Sequence, residues 1–296
     1  MTQAVAPALE VLLTSMVDYA GLFPPAGLSM VDAVEEYLRH RRSDESWMLG
    51  RFVVPASRLD ELGAVAMRPE HAGRGPWQLS VLLSAEPEQE LERLERFLTR
   101  WDGEVLCTSL EVAPVAATRV AELVPRLPEG AAVYVEVPVG DDGEMLRAVA
   151  GAGARAKIRT GGVVADAIPT SGTVAAFLRR CHELELPFKA TAGLHHALRS
   201  KHALTYDPGS PRAVMHGFLN LGLAAALVHT HDLPAATAAE VLEAGADELS
   251  FDDEGVCWRA HRLVRSELRR SRELFQSFGS CSFTEPVHDL KELALL

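Results

Sequence analysis

The feature that most constrains the fold is a regular alternation of short apolar runs with longer amphipathic segments. Short apolar runs are typical of buried strands, and apolar residues three or four positions apart are typical of helices. Strands that alternate with helices form a parallel sheet, and eight such pairs predict closure into a barrel. The alternative is an open doubly wound sheet, but the glycine-rich phosphate turn of that fold is missing after the first strand. The predicted strands are 17–22, 48–54, 77–83, 105–112, 132–137, 154–159, 187–192 and 248–251.

The length of the chain fits one domain of this kind. A chain of 296 residues accommodates one α/β barrel, and no linker divides it. We therefore predict a single-domain (β/α)8 TIM barrel over residues 1–296, with a short N-terminal helix and a C-terminal tail over 277–296. Ser29 has the pattern of a helix N-cap. Two further helices are predicted over 212–228 and 261–276.

Charge and composition exclude several classes of partner. There are 29 basic and 41 acidic residues, the net charge is −12, and no basic run stands out, so no nucleic-acid partner is expected. No segment reaches the roughly 18 consecutive apolar residues of a membrane span, and the N-terminus lacks the pattern of a signal peptide. The four cysteines form no CxxC pair, which favours reduced thiols. We expect a soluble, cytoplasmic protein, and the sequence leaves open whether it forms a homo-oligomer.

Charged residues within or directly after the predicted strands are the candidates for a functional site. Both faces of a strand in a parallel barrel are buried, so charge there is costly. In this fold the active site lies at the C-terminal ends of the strands. A set of ion pairs at the barrel rim is the alternative for any one residue, whereas the whole set favours an active site. The candidates are Asp18, Arg51, Glu111, Glu136, Lys157, Arg159, Lys189, His195 and His196.

Lys157 and Arg159 form the most informative pair. The chain has only four lysines among its 29 basic residues, and Lys157 is one of two within predicted strands. Residues two apart on a strand face the same way, so both cations are predicted to point to the barrel axis, beside Gly161 and Gly162. Burial and a neighbouring cation favour a neutral amine, which can attack a carbonyl carbon to form a Schiff base. Arg159 could bind a carboxylate or phosphate. The alternative is that Lys157 only pairs with Glu136.

Two short segments resemble a known family. Residues 156–162 (AKIRTGG) and 188–193 (FKATAG) look like the sixth and seventh strands of class I aldolases of the deoxyribose-phosphate aldolase type. This resemblance implies that Lys157 forms the Schiff base and that Lys189 perturbs it. It covers a small part of the chain. The sequence departs from the family at 195–196, where two histidines replace a glycine-rich phosphate loop, so a phosphorylated substrate is not expected.

The histidines and one cysteine suggest other chemistry. His195 and His196, together with His216 or a strand-end carboxylate, could ligate a divalent metal, although no HxH or HExxH spacing supports these three. Cys281 lies among small residues near the C-terminus. This segment could pack as a tail against the barrel or fold toward the site. Nothing nearby in sequence supplies a base for Cys281, so packing is the favoured interpretation.

Three hypotheses follow. The first is a lyase that acts on a small anionic carbonyl compound through Lys157, with Lys189 as its perturbing neighbour, Glu136 or Glu111 moving protons, and no cofactor. The second is a metal-dependent hydrolase or isomerase that uses His195, His196 and strand-end carboxylates. The third is a non-catalytic barrel that binds a small anion or a partner protein. The residues expected to line the substrate site are Arg159, Arg51, Asp18, Gly161, Gly162 and His195.

Overall fold

Eight parallel strands close into a barrel in the computed structural model, which describes residues 5–71 and 75–296. Each strand pairs with its neighbours in chain order, and the last pairs with the first. This arrangement confirms the predicted (β/α)8 TIM barrel. The barrel strands are β1 (Val17–Tyr19), β2 (Leu49–Pro55), β3 (Trp77–Leu83), β4 (Val105–Val112), β5 (Ala132–Val137), β6 (Arg155–Arg159), β7 (Phe188–Thr191) and β8 (Phe275–Ser280).

Helices follow the strands and cover the outside of the barrel. The N-cap predicted at Ser29 is confirmed, because its side chain accepts a hydrogen bond from the backbone N–H of Asp32. Thr170 caps a later helix in the same way through the N–H of Thr173. The helices are α1 (Pro7–Leu13), α2 (Met30–His40), α3 (Leu59–Ala66), α4 (Glu88–Arg100), α5 (Ala117–Leu123), α6 (Glu144–Gly151), α7 (Ser171–Glu183), α8 (Phe218–His231), α9 (Ala235–Glu243), α10 (Arg265–Leu274) and α11 (Thr284–Glu292).

The eighth strand lies later in the chain than predicted. Leu249–Phe251 belongs instead to a separate three-stranded antiparallel sheet with Gly255–Trp258 and His261–Val264. The segment expected to be a tail from 277 onwards therefore contains most of β8 and all of α11. The prediction failed because the positions of β8 that face the barrel interior are occupied by Ser277 and Gly279 rather than by apolar residues, so the strand has no apolar run.

The connection between β7 and α8 also differs from the prediction. Residues 212–215, expected to begin a helix, form an antiparallel hairpin with Ser200–Ala203, and α8 begins at Phe218. The two strands of the hairpin form with each other the backbone hydrogen bonds that a helix would have formed internally. It lies at the C-terminal end of the barrel, where Leu204 and Met215 border the central cavity.

The Ala/Leu-rich helix α8 is buried around its whole circumference from Phe218 to Val228. It packs against α9 and α10 and against the barrel, where Phe218 stacks on Phe278 of β8. Burial of its whole circumference explains why its apolar residues are not confined to one face. No helix within the described ranges is long and apolar enough to cross a membrane.

Candidate functional site

A cavity of about 220 Å³ opens at the C-terminal end of the barrel. The residues that face it from the strand ends include small and apolar ones, which leave space above the charged layer below. Ala20, Val53, Leu82 and Gly279 are of this kind. Loops complete the wall, including the loop after β1 with Phe23 and the cis-linked pair Pro24-Pro25. The cavity lies where active sites occur in this fold.

Beneath the cavity, two lysines and three carboxylates form a continuous chain of ion pairs. The Lys189 Nζ atom lies 2.6 Å from Oδ2 of Asp18 and 2.6 Å from Oε1 of Glu111. The Lys157 Nζ atom lies 3.0 Å from Oε2 of Glu111 and 2.9 Å from Oε2 of Glu136. Glu111 therefore bridges the two ammonium groups, and each lysine has two carboxylate partners.

Strand register brings these side chains together. Lys157 on β6 is aligned with Glu136 on β5 and with Lys189 on β7. Residues at aligned positions on neighbouring parallel strands point the same way, here into the barrel. Asp18 reaches Lys189 from β1 across the barrel interior, where β8 contributes only small side chains. The sequence predicted this convergence in outline but not the order of the pairs.

Two serines missed by the sequence analysis hold the carboxylates in place. Ser80 Oγ donates to Oε1 of Glu111 at 2.6 Å, and Ser277 Oγ donates to Oδ2 of Asp18 at 2.8 Å. Both serines are fully buried. The signal that could have found Ser80 is a hydroxyl residue inside an otherwise apolar strand. Ser277 was missed together with β8.

The electrostatics of the layer favour ionised groups. Burial raises the pKa of Glu111, but the charges of Lys189 and Lys157 outweigh that effect and hold the pKa well below its ordinary value. The pKa of Asp18 is likewise lowered, because Lys189 and Arg51 outweigh its burial. The same carboxylates raise the pKa of Lys189 against the effect of burial. Lys189, Asp18 and Glu111 are therefore charged near neutral pH.

Lys157 and Lys189 differ in their access to the cavity. Both are almost fully buried, at 3% and 1% exposure. Lys157 borders the cavity, as does its partner Glu111, whereas Lys189 lies below it. A molecule in the cavity would therefore meet the amine of Lys157.

Arg159 also borders the cavity, two residues after Lys157 on the same strand. Its side chain is exposed, and within the described residues it has no hydrogen bond or ion pair. Gly162 borders the cavity beside it. Gly161 allows close approach of two loops, because a Cβ atom there would lie 3.0 Å from the Cα atom of Gly193.

Arg51 and Asp18, expected to bind substrate, lie in the layer beneath the cavity. The backbone N–H of Arg51 donates to Oδ1 of Asp18 at 3.0 Å, and its Nη1 lies 3.4 Å from the same oxygen. Its Nε donates to Oγ1 of Thr108 at 2.8 Å. Neither Arg51 nor Asp18 borders the cavity. Their contacts hold the ionic layer together, so contact with a molecule in the cavity is not expected.

The histidines proposed as metal ligands do not converge. His195 borders the cavity, whereas Nδ1 of His196 lies 3.0 Å from Oδ2 of Asp289 and Nε2 of His216 lies 2.8 Å from the carbonyl oxygen of Pro169. In the part of the chain that the structure describes, no group of three or more histidine, cysteine, aspartate or glutamate side chains is arranged to hold a metal ion. The proposed ligand set is therefore wrong as a single site.

Cys281, expected to pack against the barrel, follows β8 and borders the cavity. Its Sγ atom lies 3.7 Å from Nδ1 of His195 and 3.8 Å from the hydroxyl of Tyr206. Burial raises the pKa of its thiol to about 11, so it stays protonated near neutral pH. Neither neighbour is close to it in sequence, which is why the sequence favours packing over a position at the site.

The chain defines a (β/α)8 barrel with a charged layer under a small strand-end cavity. No protein-family model matches it, and no curated protein matches it in sequence. Because this fold hosts many unrelated chemistries, its function has to be argued from the cavity itself.

Proposed function

We propose that the protein is a barrel enzyme of the lyase class, which forms a Schiff base between Lys157 and a small carbonyl compound that carries a carboxylate. The observation that carries this proposal is the position of the Lys157 amine, at the base of a cavity and between two carboxylates. Lys157 and the exposed, unpaired cation Arg159 lie on one strand end.

A lysine must lose a proton before it can attack a carbonyl. Glu111 is a poor acceptor for that proton, because Lys189 and Ser80 also bind it and its pKa is held below the ordinary range. Glu136 contacts Lys157 and makes no other hydrogen bond or ion pair within the described ranges. We therefore propose that Glu136 takes up the proton that the Lys157 amine loses.

The bonding changes of the proposed reaction balance without a redox partner. The Lys157 nitrogen adds to the carbonyl carbon, and water leaves to give an iminium ion. In the cleavage direction the substrate carries a hydroxyl group on its β-carbon. That hydroxyl gives its proton to water, the bond between the α- and β-carbons breaks, its electron pair moves towards the iminium nitrogen to give an enamine, and an aldehyde leaves. The enamine then takes up a proton at the α-carbon, and water adds to the iminium carbon to release the 2-oxo acid and the Lys157 amine. The ionised Glu111 stabilises the positive iminium nitrogen, because it lies 3.0 Å from the Lys157 Nζ atom and cannot readily take up a proton.

The cavity favours a carboxylate over a phosphate. Arg159 is the one cation that borders it without a partner inside the described part of the chain, and its planar fork fits a carboxylate. The loop after β8 and the N-terminal end of α11 form a place where a phosphate could bind. The first turn of α11, however, carries Glu285, and its negative charge would repel a phosphate dianion. A cavity of about 220 Å³ is smaller than the roughly 300 Å³ at which typical ligand pockets begin. A short-chain 2-oxo acid fits these features best.

Borohydride trapping tests the proposal. The protein is incubated with pyruvate, 2-oxobutyrate, acetaldehyde or dihydroxyacetone phosphate and reduced with borohydride, and its mass is then measured by mass spectrometry. We expect one covalent adduct, strongest with the 2-oxo acids and absent in Lys157→Met. Circular dichroism checks that this variant folds. Saturable pyruvate binding without any adduct would instead support a non-catalytic barrel in which the unpaired Arg159 binds the anion.

A further inference from the structure

His195 is held in one orientation by groups on β8 and α11. Its Nδ1 atom lies 3.1 Å from Oγ of Ser280 and 3.6 Å from Oε2 of Glu285. The residue is 6% exposed, and it borders the same cavity as Lys157. Within the described residues, the other ring nitrogen, Nε2, has no hydrogen-bond partner.

The contacts of Ser280 determine which nitrogen carries the proton. The Ser280 hydroxyl donates its own hydrogen to the carbonyl oxygen of Ser282 at 2.6 Å. It can therefore only accept from His195, so Nδ1 is the protonated nitrogen. The carboxylate of Glu285 favours the same arrangement. In the neutral ring the lone pair is then on Nε2, the nitrogen that faces away from these partners.

Few other groups could exchange protons with a molecule in the cavity. Glu111 is held ionised between two lysines, and Lys157 is the proposed nucleophile. Arg159 is permanently charged, and Cys281 keeps its proton near neutral pH. Among the described residues, the titratable groups that border the cavity are Glu111, Lys157, Arg159, His195 and Cys281.

We infer that His195, through Nε2, moves protons to and from the substrate carbon skeleton while Lys157 holds it as a Schiff base. This inference rests on the proposed function. In the step concerned, Nε2 takes a proton from the carbon next to the iminium, and the electron pair of that C–H bond gives the enamine. Return of a proton from Nε2 reverses the step. In heavy water, the returned particle is a deuteron.

The surroundings keep the ring neutral and available as an acceptor. Burial lowers the pKa of His195 to about 4, and the neighbouring His196 and His202 add to the effect. Two other titratable groups face its Nδ1 atom, Glu285 of α11 at 3.6 Å and Cys281 at 3.7 Å, and Tyr206 of the hairpin connection contacts both of them. Near pH 7 the ring is therefore uncharged and Nε2 keeps its lone pair, while the lowered pKa makes it a weaker base than an ordinary histidine.

The test separates Schiff-base formation from proton transfer. Pyruvate is incubated with the protein in heavy water, and loss of its methyl protons is followed by NMR, with borohydride trapping measured in parallel. General acid–base groups contribute about 100-fold or more. We therefore expect His195→Gln to trap pyruvate as the unaltered protein does but to exchange protons at least about 100-fold more slowly. His288→Gln is the control, because His288 is exposed on α11 and pairs with Glu292 outside the cavity.

Ser280→Ala provides a second variant that keeps the imidazole. It removes the acceptor for the Nδ1 proton, so we expect exchange to fall about 10-fold while trapping persists. Unchanged exchange in both His195→Gln and Ser280→Ala would overturn the assignment of His195 and leave the Schiff-base proposal standing. Absence of any adduct in the unaltered protein would overturn the proposed function, and this inference with it.

Discussion

Glu111 bridges Lys157 and Lys189, with one carboxylate oxygen 3.0 Å from the first amine and the other 2.6 Å from the second. This contact joins a lysine at the cavity to a lysine buried beneath it. The deeper lysine keeps Glu111 ionised, and Glu111 in turn presents a fixed negative charge to the amine of Lys157.

Glu111→Gln should be strongly destabilising. Removing one partner from a buried ionic network leaves charge uncompensated, at a cost of about 3–5 kcal/mol. The free energy of unfolding in urea measures this loss. Glu104→Gln, at an exposed position, is the matched control and should change stability by less than about 0.5 kcal/mol. A loss below about 1 kcal/mol for Glu111→Gln would contradict the described network.

Stability should fall as the solution is acidified. The folded-state pKa values of Asp18 and Glu111 lie below their ordinary values of about 4. Their contribution is therefore complete above about pH 5 and is lost as the pH falls towards the folded-state values. We expect the free energy of unfolding to drop between about pH 5 and pH 3, and to drop less steeply in Glu111→Gln. Equal slopes for the two proteins would show that this carboxylate is not responsible.

Arg159→Met should weaken anion binding without affecting the fold. The side chain is exposed and makes no contact that the fold needs within the described residues. A hydrogen-bonded charge contributes about 1.5–3 kcal/mol, so the dissociation constant for pyruvate should rise about 10- to 150-fold. Calorimetric titration measures it, and Tm should stay within a few degrees. Arg126→Met, on a different face, is the control. Equal affinities for the two variants would remove Arg159 from the site.

Gly161→Ala should destabilise the protein by about 1–3 kcal/mol, the usual effect of overpacking. Its Cβ atom would lie 3.0 Å from the Cα atom of Gly193, whose backbone has a φ of 75°. Gly151→Ala is the opposite case, because nothing lies within 4 Å of its Cβ position at the end of α6. That change should stabilise by about 0.5–1 kcal/mol. Thermal unfolding of both variants tests the contrast, and equal effects would contradict it.

The sequence predicted those elements whose local hydrophobic pattern matches their position in the barrel. Strands β3, β4 and β5 have the predicted bounds, because their apolar runs are continuous. The convergence of Lys157, Lys189 and Glu111 follows from alternation along parallel strands. It was predicted as a set, whereas the individual pairs depend on register and on side-chain length.

The errors arose where residues that form the charged layer or the cavity interrupt the hydrophobic pattern of a strand. Strand β8 carries Ser277 and Gly279 at its inward positions, because one binds Asp18 and the other leaves space for the cavity. Because the strand lacks an apolar run, the sequence predicts a tail there. The contacts of Cys281 and of His195 were not predicted for the same reason, since Ser280 ends β8 and Cys281 and Glu285 follow it.

The central claim is that Lys157 is the nucleophile. Its most direct test is peptide mapping after borohydride reduction in the presence of pyruvate. We predict that the pyruvate-derived mass is found on the peptide that contains Lys157, and that Lys189 and the exposed Lys201 stay unmodified. Modification of Lys189 or Lys201 in place of Lys157, or an adduct that persists in Lys157→Met, would contradict the claim.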